Sequence, residues 1–244
     1  MIHRYFLLFI SIMFLTVCHL AVGKTLFHDD FEGDTVGKAP KNLEEYKHQH
    51  NAPGFQLDVA KDPKGESGQV VHTFNYALYI PKAADRENWT DWIWEWDWMW
   101  SQNGFPGTAF RITGNEYYHI SPRNDNMNVG FWYWNGNWNQ KGALVRYDFG
   151  LNIWNRFQVI AKGKEFTLKI KRRDDATPFA AIKPLLQATD DTLKKGPLSV
   201  AGTEQDAWID NFIVGETEAD LTFPVEPMGK LATTWGNIKN QLRR

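Results

Sequence analysis

Glu95 and Asp97 stand two residues apart within Asp91–Ser101, DWIWEWDWMWS. Carboxylates at this spacing are either a solvated pair on an open sheet face or the bearers of one of two chemistries. As catalytic acids they would serve hydrolysis; as ionised acceptors they would pair with sugar hydroxyls on the floor of a ligand groove. Retaining glycoside hydrolysis needs two carboxyl groups on opposite sides of the scissile bond, about 5–5.5 Å apart. Neighbours on one face of a strand are roughly 6.6–6.8 Å apart along it. Glu95 and Asp97 therefore form one wall rather than a pair straddling a substrate. Arg111 is a third polar candidate. Tyr117, His119, Trp132, Trp134 and Trp138 are the aromatic ones, because the apolar C–H faces of a sugar lie flat on aromatic rings. For His119 the competing reading is a hydrogen-bonded surface histidine.

The element that must carry the two acids is a strand. Trp92, Trp94, Trp96, Trp98 and Trp100 occupy every second position, with Ile93, Glu95, Asp97 and Met99 between them. Period two puts the two sets on opposite faces of a pleated strand, whereas a helix would spread the indoles around its axis. Each buried aromatic removes about 150–250 Å² from water, and acids do not enter a dry core without partners. The indole face is therefore predicted to be core, and the Glu95/Asp97 face to look onto a wet, concave surface.

The remaining candidates fall on further short strands. Thr108–Thr113 (TAFRIT) puts Phe110 and Ile112 on one face and Ala109 and Arg111 on the other. Glu116–Ser121 (EYYHIS) sets Tyr118 and Ile120 against Tyr117 and His119. Val129–Trp134 (VGFWYW) is aromatic on both faces, so alternation does not say which is core. Asn135-Gly136-Asn137 is a tight-turn signal, and Trp138 follows it. Around these lie Thr25–Phe31, a hairpin of Gly54–Ala60 and Gln69–Asn75, Ala77–Pro81, Leu144–Phe149, a hairpin of Arg156–Lys162 and Glu165–Arg172, Phe179–Ile182, Pro197–Ala201 and Ala207–Val214. A dozen or so short strands separated by turn residues predict an all-β antiparallel sandwich.

Met1–Gly23 has a basic start at Arg4, an apolar run from Tyr5 to Val17 and a small-residue end, Ala21-Val22-Gly23. This is the pattern of a secretory signal peptide cleaved near Gly23, and the run is too short to be a membrane span. The expected protein is secreted, periplasmic or held at the cell surface. Cys18 is the only cysteine of the 244 residues, so the mature chain would hold no disulfide. Lys and Arg number 27 against 29 Asp and Glu; without a basic stripe, nucleic acid is not an expected partner. Leu231, Trp235, Ile238 and Leu242 recur at helical spacing, predicting a short amphipathic helix at the C-terminus.

Three stretches carry a resemblance: Asp29-Asp30-Phe31-Glu32-Gly33, Trp154 to Ile170 (WNRFQVIAKGKEFTLKI), and Trp208 to Val214 (WIDNFIV). Together they resemble the concanavalin A-like lectin/glucanase superfamily, including its laminin-G-like bacterial members. The resemblance implies a jelly roll of two curved sheets over residues 24–224, after a signal peptide at 1–23 and before a tail at 225–244. It also implies carbohydrate on the concave sheet, and a structural calcium where the first and last strands meet, for which Glu32, the Gly33 carbonyl and Asp210 are the matching donors. No cofactor is otherwise required. The glycosidase family 16 of this superfamily has a Glu-x-Asp-x-x-Glu or Glu-x-Asp-x-Glu strand motif. Glu95 and Asp97 match its first half, as nucleophile and supporting acid, while Met99 and Trp100 stand where the last Glu belongs. A 3-keto-disaccharide hydrolase-like branch places acids and an arginine on the same sheet, a layout Glu95, Asp97, Arg111 and His119 would fit. The expected function is non-catalytic binding of a polysaccharide or oligosaccharide on the face containing Glu95 and Asp97. The alternatives are a glycoside hydrolase on that face and a structural or adhesive surface module.

Overall fold

The five indoles of the tryptophan strand, β6 (Trp92–Trp100), are each at most 1 % exposed and point into the interior. Trp94 stacks on Trp96 with centroids 3.9 Å apart, and Trp96 stacks on Phe157 at 5.0 Å. Trp92 meets Phe110 of the facing sheet edge-on at 5.6 Å. The indole N–H groups of Trp92, Trp94, Trp98 and Trp100 have no hydrogen-bond acceptor among the described residues. Leaving one unpaired costs about 1–3 kcal/mol. Burying roughly 200 Å² of ring contributes about 5 kcal/mol, so burial outweighs the unpaired donor.

The computed structural model describes residues 23–104, 107–201 and 206–222. The expected signal peptide up to Val22, with Cys18, and the expected tail helix over Met228–Arg244 lie outside the described residues. No helix among those described is long and apolar enough to cross a membrane.

Two antiparallel sheets face each other. The first runs in the order β13 (Leu186–Thr189), β12 (Glu165–Arg172), β11 (Asn155–Lys162), β6, β15 (Ala207–Gly215), β4 (Gln69–Phe74) and β3 (Gln56–Lys61), with β1 (Thr25–Asp29) also paired to β15. The second runs β10 (Trp138–Arg146), β9 (Asn128–Trp134), β8 (Glu116–Arg123), β7 (Thr108–Thr113), β14 (Leu198–Ala201), β5 (Leu78–Pro81) and β2 (Leu43–Tyr46). Consecutive strands repeatedly cross from one sheet to the other, and β6 and β15 are neighbours despite their distance in sequence. This is the order of a jelly-roll sandwich, the architecture expected above. Three elements differ, the first being β2, which falls where no strand is expected. Phe179–Ile182 is a single 3-10 turn, bracketed by Pro178 and Pro184, and the strand comes later, at β13. The strand expected at Leu144–Phe149 begins earlier, with Trp138 opening β10.

Two bulges redirect side chains. Arg111 has φ 51° and interrupts the β7–β8 register between Phe110 and Thr113. The extra residue shifts the alternation by one, so Ile112 joins Ala109 on one side while Phe110 and Arg111 both turn to the interior. In β15 the register shifts between Asp210 and Ile213, with Asn211 at φ 51°.

Candidate functional site

The outer face of β6 does not form a groove. Asp97 is 0 % exposed. Its carboxylate accepts Nε and Nη2 of Arg156, at 2.6 and 2.8 Å, and Nδ2 of Asn211 at 2.7 Å. Glu95 accepts Nε2 of Gln158 at 2.7 Å. Arg156 and Gln158 are their direct cross-strand partners on β11. Burial raises the Glu95 carboxyl, opposed by the Gln158 hydrogen bond and the charges of Arg156 and Lys171. Met99 packs with Val70 and Trp154 on the same side. Side chains from neighbouring strands thus fill the surface on which a sugar was expected. The half-motif Glu95-x-Asp97 is a set of cross-strand pairs that holds the first sheet together.

Arg111 lies elsewhere again. The bulge sends its guanidinium inward over the Phe166 ring, 5.1 Å from the centroid, where it donates to the carbonyls of Leu193 and Thr90. It is 0 % exposed, so it faces no ligand surface.

The calcium donors do not fit an ion either. The Gly33 carbonyl accepts Nζ of Lys41 at 2.5 Å, putting a cation where the metal would have to be. The Glu32 carboxylate accepts the Gln69 amide. Asp210 lies 3.7 Å from Arg173, and its carboxyl is pushed up to about 7, by burial first and then by Asp97 opposite it. Among the described residues no three His, Cys, Asp or Glu side chains gather as a metal site.

A groove of about 610 Å³ is hollowed instead into the outer face of the second sheet. Alternation builds it. On β8, Tyr118 and Ile120 enter the core, which leaves Tyr117, His119, Ser121 and Arg123 pointing out. On β9, Val129, Phe131 and Tyr133 enter the core, and Asn128, Gly130, Trp132 and Trp134 point out. These sets lie side by side, with Tyr117 opposite Trp134, His119 opposite Trp132, Ser121 opposite Gly130 and Arg123 opposite Asn128. Trp138 of β10 stands across from Trp134. Gly130 and Ser121 leave the floor low between Trp132 and Asn128. Leu144 leans over that gap, 2.5 Å from where a Cβ on Gly130 would sit.

Two residues reach the groove from loops. His50 follows β2 and Tyr76 precedes β5; their segments are tied by the Ala52 amide donating to the Tyr76 carbonyl at 2.7 Å. The Tyr76 hydroxyl donates to the Tyr117 hydroxyl (3.4 Å), which is paired with Nδ1 of His50 at 2.8 Å. Burial, and then His48 beside it, lowers the pKa of His50. Burial also raises the Tyr117 hydroxyl to about 12. The His50 ring contacts Trp134 at 4.2 Å and lies near-parallel to Trp138 at 6.0 Å.

His119 sits beneath, its ring 5.1 Å from that of Trp138. Burial, with His50 adding, drives its pKa down to about 3, so it is neutral. Its Nε2 has no hydrogen-bond partner among the described residues. The Nε2 edge of the ring is close against Gly107, where an added Cβ would stand 1.8 Å from Nε2. Trp138 is 47 % exposed and forms the open wall. Asn126 and Arg123 close the far end.

Five sequence candidates are therefore brought together: Tyr117, His119, Trp132, Trp134 and Trp138. Glu95, Asp97 and Arg111 are not among them. His50, Tyr76, Ser121, Arg123, Asn126, Asn128 and Leu144 were missed as lining residues.

The architecture has counterparts. No protein-family profile matches the chain, and no curated protein is similar to it in sequence. Among solved structures it is similar to the carbohydrate-binding module CBM66 from Bacillus subtilis, at 15 % identity and TM-score 0.49, over 69 % of this chain and 98 % of that one. It is similar to lectin II from Ulex europaeus, at 11 % identity and TM-score 0.46, over 77 % and 96 %. It is also similar to the catalytic domain of a glycoside hydrolase family 131 protein from Coprinopsis cinerea, at 10 % identity and TM-score 0.49, over 84 % and 100 %. The likeness is one of fold.

Proposed function

We propose that this chain is an exported, non-catalytic carbohydrate-binding module that holds a glycan in the groove of the second sheet. The observation that carries the reading is Trp138, half-exposed on a groove wall shared with Trp132, above a lining of amide, hydroxyl and imidazole groups. Aromatic walls with a few placed polar groups are the general form of a small-ligand site. Sugars suit this one. Their C–H faces pack on the indoles, and their hydroxyls pair with Ser121, Asn126 and Asn128.

Hydrolysis is the weaker reading. The described residues lining the groove include no carboxylate, whereas the common glycosidase mechanisms use two. Glu95 and Asp97 sit on the outer face of the other sheet, engaged with Gln158 and Arg156.

Native-gel retardation by soluble polysaccharides tests the proposal. Trp138→Ala is expected to weaken retention of the retarding polymer by about 2 kcal/mol, roughly thirtyfold, without release of reducing sugar by the parent protein. Unchanged retention in this variant would remove the groove from consideration. Reducing-sugar release would replace binding by catalysis. Export is read out in the same preparation, as a mature N-terminus at Lys24.

A further inference from the structure

The groove reading leaves open which glycans enter, and the charges around it bear on that. Arg123 is the one charged side chain among the described lining residues. It ends β8, and the turn to β9 brings Asp125 back against it: the Met127 amide closes on the Asn124 carbonyl at 3.3 Å, with Met127 at φ 49°. Asp125 then takes the guanidinium as a fork, Nε to Oδ1 at 3.0 Å and Nη2 to Oδ2 at 2.5 Å. Bidentate geometry of this kind is how arginine recognises a carboxylate or a sulfate from outside. Here the chain supplies the carboxylate itself.

The other titratable lining groups add no charge at neutral pH. His50 and His119 are both held below the ordinary histidine value by burial, and burial holds Tyr76 protonated. What remains for hydrogen bonding is Ser121, Asn126 and Asn128, which suit hydroxyls.

Resting on the proposed glycan groove, we infer that the site takes neutral glycan chains, and that Asp125 sets this selectivity by occupying the arginine a uronate or sulfated sugar would need. An acidic sugar entering the groove meets a cation already matched, and a second anion beside it. Both members of the pair keep about a third of their side chains exposed, 29 % and 33 %. Asp125 can therefore be altered without opening the core.

The test is native-gel retardation of the full mature chain by two neutral polymers, galactomannan and xyloglucan, and two anionic ones, polygalacturonate and dextran sulfate. The wild type is expected to be retarded by a neutral polymer, changing less than twofold between 50 and 500 mM NaCl, since no counterions are released. Asp125→Asn is expected to gain at least fivefold in retention by an anionic polymer, with that gain lost at high salt and in Asp125→Asn/Arg123→Gln. Anionic retention of the wild type that disappears in Trp138→Ala would overturn the inference and leave the groove standing. So would an Asp125→Asn variant that folds, as judged by its melting transition, and gains nothing. Absence of retardation by all four polymers, or neutral retention indifferent to Trp138→Ala, would instead remove the groove reading and this inference with it.

Discussion

His119 shows how one buried side chain ties the groove to pH. Its folded pKa is near 3 because burial disfavours the imidazolium, against about 6.5 in an unfolded chain. A base with a depressed folded pKa leaves stability intact above pH 6.5. The unfolded state then binds the extra proton as pH falls from 6.5 toward 3, and stability declines over that window at up to about 1.4 kcal/mol per pH unit. The wild-type melting temperature is expected to fall more steeply than that of His119→Asn between pH 6.5 and 4. Equal slopes in a fluorescence melting series would show that the histidine is not sealed from water. Comparison with the variant is essential, because Asp210 acts with the opposite sign over much of the same range. The exposed neighbour Trp138 behaves differently: removing it is expected to change binding and leave the melt alone.

At the scale of strands, the Asp210–Asp97 cross-strand pair is the costly contact of the first sheet. Two acids face each other across β15 and β6, and Arg156 is committed to Asp97. Burial first, and then Asp97, keep a proton on Asp210 up to about pH 7 in the folded chain, whereas the unfolded chain releases it near 3.8. A raised folded pKa means that this group's contribution is full below pH 3.8 and is lost as pH rises to 7. Asp210→Asn is expected to match the wild type near pH 4 and to exceed it by on the order of 2–4 kcal/mol at pH 8. Urea unfolding at the two pH values checks this, and an equal difference at both would contradict it. The strands also show what the sequence could reveal. In β6 alternation turned the indoles inward because that whole face is tryptophan, and in β8 it grouped Tyr117 with His119 opposite Tyr118 and Ile120. In β9 both faces are aromatic, so Trp132 and Trp134 could be told from Phe131 and Tyr133 only by packing. Arg111 was misplaced because nothing in TAFRIT announces a left-handed backbone, and a single bulge reverses the facing of every later residue. Ser121 and Arg123 were within reach of the same alternation that picked out Tyr117 and His119. His50 and Tyr76 were not, since loop residues carry no period.

Across the whole molecule the two outer faces have separate duties. The β6 face is closed by ion pairs and the β8–β9 face is open, with the indole core between them. The jelly roll was legible because turn residues divide the chain at regular intervals. Which sheet held the candidate groove was not, since an acid on a strand reads alike whether it meets a ligand or an arginine. Separation of duties predicts separable variants. Arg156→Gln strands the buried Asp97 carboxylate on the outer face of the first sheet and is expected to cost about 3–5 kcal/mol of stability, while polysaccharide retention stays at the parental level below the new melting point. Loss of retention in the folded variant would mean the faces are coupled. The tryptophans divide in the same way. Five indoles sealed in one ladder emit from a dry interior, whereas Trp138 at the groove wall is open to water-borne collisional quenchers. Among the described residues the ladder and Trp138 thus offer two distinct optical reporters, the first on the integrity of the sandwich and the second, under the proposed function, on occupancy of its outer hollow.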